Sequence, residues 1–158
     1  MLKVNENTSI TVAEADELIA LHLEKYNGLR SFWEILEETE KETYLVRAVE
    51  EMETLMVSGS KTMRMQQLSF PRYPSLTVPN DIKLAQAYNA LGMLNNDLKD
   101  AANANKQLYA RYGVVLGENS PSNGAILNDT PTGSRFTLAS NKALKIVKKY
   151  AYGGFRMR

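Results

Sequence analysis

Groups able to do chemistry are sparse in this sequence. His22 is the only histidine and there is no cysteine, so neither a thiolate nucleophile, a disulfide nor a thiolate zinc site is available. No Asp, Glu and His fall at metal-ligand spacing, and Gly113-Val114-Val115-Leu116-Gly117 lacks the Lys-Ser/Thr that a phosphate-cradling loop carries after its glycines. His22 falls inside a helical stretch beside its apolar stripe, where a partly buried, structurally satisfied imidazole is expected rather than a base. Glu37, Glu38, Glu40 and Glu42 read as acids favouring a helix start, not as acid-base catalysts. Neither enzymatic activity nor a cofactor is expected. Basic residues beside aromatic rings recur at Arg72-Tyr73, Tyr109-Arg111-Tyr112, Lys149-Tyr150-Tyr152 and Phe155-Arg156, which is the composition of a single-strand stacking groove. No five-strand barrel pattern accompanies them, and the acidic first third of the chain repels phosphate.

Charge is divided along the chain. Residues 1–58 hold 13 acidic and 5 basic side chains, a net of −8, whereas residues 59–158 hold 14 basic and 5 acidic, a net of +9. After Asp129 only Arg135, Lys142, Lys145, Lys148, Lys149, Arg156 and Arg158 are charged. Such a chain can pair its own halves, pair with a neighbouring copy, or offer its basic end to nucleic acid or an acidic partner. At 158 residues and 44% apolar it suits one soluble domain. No apolar run suggests a membrane span, and the polar segment from Lys3 to Asn7 does not read as a signal peptide.

The elements that must carry these residues are mostly helical. Thr11-Val12-Ala13-Glu14 has capping-box spacing, and Val12, Ala15, Ile19, Leu23 and Tyr26, widened by Leu18, form a stripe that Asn27-Gly28 is expected to end. Ser31-Phe32-Trp33-Glu34 opens a short turn that buries the only tryptophan. Thr39-Glu40-Lys41-Glu42 opens a longer helix with Leu45, Ala48, Val49, Met52, Leu55 and Met56 on one stripe, stopping near Ser58-Gly59. From Pro79, the residues Ile82, Ala85, Ala87, Tyr88, Leu91, Met93, Leu94 and Leu98 read as a third, alanine-rich helix that frays or continues to about Leu108. Gly92 within it marks either a cost or close packing. Ser140 caps a last helix through Tyr150. Between these lie a short strand at 112–117, an exposed loop over about 117–138 and a hairpin pairing 125–127 with 135–138. The fold class is therefore mainly α, a small bundle of three main helices plus a short C-terminal helix, with a minor β-hairpin or extended ribbon and an extended tail.

The connector over 60–78 is pinned by proline. Pro71 and Pro74 fix their own φ and push Phe70 and Tyr73 towards extended geometry, and Pro79 can open the next helix. Met63, Met65, Leu68 and Phe70 alternate with polar residues as in an extended strand or edge ribbon.

Gln66-x-Leu68-x-Phe70-Pro71-Arg72, followed by Val78-Pro79-x-x-Ile82-x-x-Ala85, resembles an element of tailed-bacteriophage head-tail adaptor (head-completion, connector) proteins, with Phe70 where tryptophan is more usual. Thr11 to Leu18, Trp33 and Glu40 to Ala48 are similar to the family's first two helix starts, so the likeness covers most of the chain. The 117–138 segment departs from the family's short ribbon. Some members are described as DnaT-like single-stranded-DNA-binding proteins, so the resemblance brings two function classes. It implies a virion protein of the neck, made in the host cytoplasm. Such a protein works as a homo-oligomeric ring, commonly of twelve copies, between the portal and a stopper or tail terminator, with packaged double-stranded DNA passing through its lumen and no membrane involved. On that basis residues 1–149 are expected to form the adaptor domain and residues 150–158 a docking tail. Tyr150, Tyr152, Phe155, Arg156, Met157 and Arg158 are then candidates for portal contact, and Glu50, Glu51, Glu53, Arg72, Lys145 and Lys149 for contact between subunits. Gln66, Leu68, Phe70, Pro71, Arg72 and Pro79 are the structural motif. The alternative is a single-stranded-DNA-binding replication accessory.

Overall fold

The computed structural model describes residues 2–25, 27–55, 57–111 and 138–150. Among them the chain forms five helices and no strand: α1 (Val12–His22), α2 (Gly28–Ile35), α3 (Glu38–Glu53), α4 (Asn80–Arg111) and α5 (Asn141–Val147). The expected mainly α bundle is the observed fold.

Helix α1 begins as its sequence dictates. The Thr11 side chain accepts from the Glu14 N–H, and the Glu14 carboxylate accepts from the Thr11 N–H at 2.9 Å, so two otherwise unpaired amides are satisfied reciprocally. The helix ends earlier than its stripe suggests, because Leu23 turns extended. Asn27-Gly28, expected to stop α1, instead starts α2: the Asn27 side chain accepts from the Leu29 N–H at 3.0 Å. Asparagine serves both as a left-handed C-cap and as an N-cap, and here the second use prevails. Ser31 accordingly lies inside α2. The start of α3 also shifts, to a Glu37-Glu40 pair in which the Glu40 carboxylate accepts from the Glu37 N–H at 3.0 Å.

Helix α4 is the spine, and α1, α2, α3 and α5 all pack on it. Its 32 residues run about 48 Å. The Pro79 carbonyl accepts from Ile82 and Lys83 at its start, and the asparagine-rich stretch stays helical to Arg111. Ala85, Ala87 and Ala90 are buried along it. Trp33, Leu45, Ala48, Ile10, Ala15 and Ile19 pack on the middle of α4 through Ala87, Leu91 and Leu94. Met52, Leu55, Phe70, Val78, Leu144 and Val147 pack near its start through Ile82 and Ala85. Gly92 is a close-packing site: a Cβ there would fall 2.7 Å from the Ala139 carbonyl carbon and oxygen.

The connector is not an extended ribbon. Leu68 and Phe70 are buried while Met63 and Met65 are exposed, a turn joins Gln66 N–H to the Met63 carbonyl, and Lys61 and Arg72 form an isolated antiparallel bridge. The Phe70-Pro71 and Tyr73-Pro74 peptide bonds are cis. Phe70 is buried in one cluster with Met52 of α3 and Leu144 and Val147 of α5, and Leu68 is buried as well, which outweighs the period-2 pattern. Tyr26, Met56, the 112–117 strand, the 125–127/135–138 hairpin and the 117–138 loop, apart from Leu138, which is buried, lie outside the described residues.

Candidate functional site

The proline-braced connector is held by its own polar side chains. The Gln66 amide donates to the carbonyls of Leu68 (2.7 Å) and Pro71 (2.9 Å). Lys61 Nζ donates to those of Gln66 and Gln67, and Arg72 Nη1 to those of Ser58 (3.2 Å) and Gly59. Gly59 sits at φ +90, the left-handed region that suits glycine. Glu53, at the end of α3, accepts with one oxygen from the Ser69 N–H (2.7 Å) and with the other from the Ser69 hydroxyl (2.6 Å). Phe70 meets Tyr150 edge to face at 5.4 Å, and the Tyr150 carbonyl accepts from both N–H and hydroxyl of Ser58. Connector and α5 thus close over the end of α3.

A second polar cluster lies within α4. Gln86 and Asn89, both fully buried, are one turn apart and serve opposite ends of the described chain. Gln86 donates to Thr8 Oγ1 (2.8 Å) and the Leu45 carbonyl (3.0 Å) and accepts from the Ser9 N–H. Asn89 donates to the Ala48 carbonyl and Glu51 and accepts from the Ser140 N–H. Sequence reasoning missed both, and with them the burial of Thr8, Ser9 and Ile10. The available signal was two amide residues within the apolar stripe from Ile82 to Leu94.

The candidate residues separate into internal and outward groups. Glu51 and Glu53 bond within the chain, Arg72 caps carbonyls, and Tyr150 packs on Phe70. Glu50 is exposed and lines a shallow depression of about 530 Å³ on α3 with Asn7, Thr39, Glu42, Thr43, Val46 and Arg47. Lys145 on α5 and Lys148 just after it are exposed; Lys142 stands over the Tyr88 ring at 5.2 Å, and Lys149 meets Asp81 at 3.5 Å on the surface. Tyr152, Phe155, Arg156, Met157 and Arg158 lie outside the described residues. His22, expected to be partly buried, is exposed at the end of α1, its ring centroid 6.5 Å from that of Tyr88 in a T-shaped arrangement.

Among the described residues the acidic and basic parts meet at a few places. Lys83 reaches Glu14 at 2.8 Å, and that hydrogen bond, with the Thr11 N–H, holds the Glu14 carboxyl below its usual range. Asp97 runs the other way, accepting from the Tyr44 hydroxyl (2.9 Å) and Arg47 (3.3 Å). Burial, then the Asp97 bond, push the Tyr44 hydroxyl up. Lys41 Nζ donates to Asp16, which also accepts from the Trp33 indole at 2.7 Å. Among the described residues no group of three His, Cys, Asp or Glu is placed to hold a metal ion, and no helix is long and apolar enough to cross a membrane.

No curated protein and no solved structure matched the chain significantly. A family model described as "Putative DnaT-like ssDNA binding protein" matches residues 2–117, the span that contains α1 to α4, and the chain belongs to that family.

Proposed function

We propose that this chain is a structural subunit of the ring that joins the portal of a tailed phage or prophage to its tail, acting without an enzymatic step. The observation that carries this reading is the use made of the Gln66 to Arg72 element, whose resemblance is to head-tail adaptors. The side chains of Gln66 and Arg72, with those of Lys61 and Glu53, bond to the chain's own backbone or to Ser69, which folds the element onto itself and onto the end of α3. Around that element, Glu50 on α3, Lys145 on α5 and Lys148 at the end of α5 stand exposed. Two unlike surfaces on one subunit are what a rotationally closed ring requires, and opposite charge favours correct orientation during assembly. The test is electron microscopy of the purified chain with portal: rings seated on the portal support the reading. Portal that stays bare at every salt concentration counts against it.

A second reading, single-stranded-DNA binding, is favoured by the family description and by the lysines of α5. It predicts tight binding of a fluorescent oligonucleotide at physiological salt, weakening as salt rises.

A further inference from the structure

Two apolar patches face water at opposite ends of α3, and charges of opposite sign surround them. At the N-terminal end, Phe32 and Ile35 lie three residues apart on α2 and share a face, with Ile35 77% exposed. Residues 28–42 around them hold five glutamates, Arg30 and Lys41; Arg30 pairs with Glu34 at 2.8 Å and Lys41 is turned to Asp16, which leaves the other four glutamates in excess. Beyond the C-terminal end of α3, the connector exposes Met63, Met65, Tyr73 and Leu76, with Met65 at 91% and Leu76 at 78%. The Thr62 hydroxyl donates to the Ser75 carbonyl at 2.9 Å and the Tyr73 N–H to the Ser60 carbonyl at 3.0 Å, so Met63 and Leu76 stand at one edge. Residues 54–80 contain Lys61, Arg64 and Arg72 and no acid. The 16 residues of α3, a helix about 24 Å long, lie between the two patches in the chain.

We propose that these patches are the two halves of one contact between copies of this chain, the α2 face of one copy seated on the connector tip of the next. The inference rests on the ring reading above and specifies its interface. Grouped exposed apolar side chains rimmed by charge are the mark of an interaction surface, and methionines adapt their shape to what they meet. Like-to-like pairing would set glutamates against glutamates and arginine against arginine. Unlike pairing brings acid to base and leaves each copy with one free half at either end, which propagates around a ring.

The sequence has no cysteine, so Ile35→Cys and Met65→Cys provide unique attachment points at exposed positions, and thermal melts of each variant check that the fold is kept. Mixing the two variants and adding a short bismaleimide is expected to give a covalent dimer that neither variant gives alone, and the double variant is expected to give a ladder of higher species. No cross-linked product in the mixture, or a dimer of Ile35→Cys alone in equal yield, overturns the inference. Microscopy of the unaltered chain with portal separates the two claims: rings without the cross-link leave the ring standing on another interface, whereas bare portal without the cross-link removes both.

Discussion

The Asn89 side-chain amide donates to the Glu51 carboxylate at 2.7 Å, and the same carboxylate oxygen accepts from the Ala139 N–H at 3.1 Å. One bond between α4 and α3 thereby also fixes the segment that leads into α5.

Asn89→Ala should therefore cost more than one hydrogen bond. It leaves the Ser140 N–H without its acceptor and takes one donor each from the Ala48 carbonyl and Glu51, and an unsatisfied buried group costs about 1–3 kcal/mol. Urea denaturation should show a loss of about 2–4 kcal/mol, and amide exchange should rise first over residues 138–150. A loss below about 0.5 kcal/mol with unchanged exchange would show that the cluster is not fixing α5.

Gly92→Ala should destabilise the protein even though alanine is the better helix former by about 1 kcal/mol. Its methyl would meet Ala139 and Ser140 backbone at 2.7–2.9 Å, and overpacking of this kind costs about 1–3 kcal/mol. Gly28→Ala, with nothing within 4 Å of the new Cβ, should be neutral or slightly stabilising. Calorimetry that ranks the two variants the other way would contradict the packing described here.

Acid should weaken the Glu14–Lys83 tie. The Glu14 carboxyl is held below its ordinary value of 4.5, so its contribution is present above that value and is lost as pH falls through the lower folded value. Glu14→Gln should flatten the acid side of the melting-temperature profile. Near neutral pH the loss of the ion pair should stay under about 1 kcal/mol, because water reaches both side chains. An unchanged acid limb in the variant would remove the tie as its cause.

Gln66→Ala should loosen the connector without unfolding the bundle. The carbonyls of Leu68 and Pro71 lose their amide donor, for about 1–2 kcal/mol, and protease nicking within 60–75 should precede global unfolding. Nicking at the rate of the unaltered chain would mean that the prolines alone suffice.

Lys145→Glu with Lys148→Glu should leave stability within about 0.5 kcal/mol, since both side chains are exposed. Under the single-strand reading, the variant should lose oligonucleotide affinity and reduce the salt slope by about 1.4. Under the ring reading alone, oligonucleotide titration should be weak for both proteins.

The parts legible in the sequence were those set by local chemistry. The Thr11-Glu14 box, the Leu45 to Met52 stripe, the alanine-rich face of α4 and the Ser140 cap all form where their spacing places them, because each needs only neighbours within a turn or two; α3 itself ends at Glu53, short of the expected stop near Ser58-Gly59, and Leu55 is buried beyond it. What escaped depends on distant partners. Asn27 can end one helix or begin another, and the choice is tied to Arg30 reaching back to the Ala20 and Leu23 carbonyls. Gln86 and Asn89 look like surface amides until Thr8, Glu51 and Ser140 come to meet them. Among the candidate interface residues, Glu50 and Lys145 face outward as charge alone suggests. Glu51 and Glu53 are drawn inward by Asn89 and Ser69, partners 38 and 16 residues away.

Gln86 and Asn89 have a mechanical consequence. One turn of α4 grips the segment before α1 through Gln86 and the segment before α5 through Asn89, so tension applied near either end of the described chain converges on the same few ångströms of a 32-residue strut. A subunit tugged from both directions would carry that load across α4 as a short transverse link and share it with α3 through Leu45, Ala48 and Glu51.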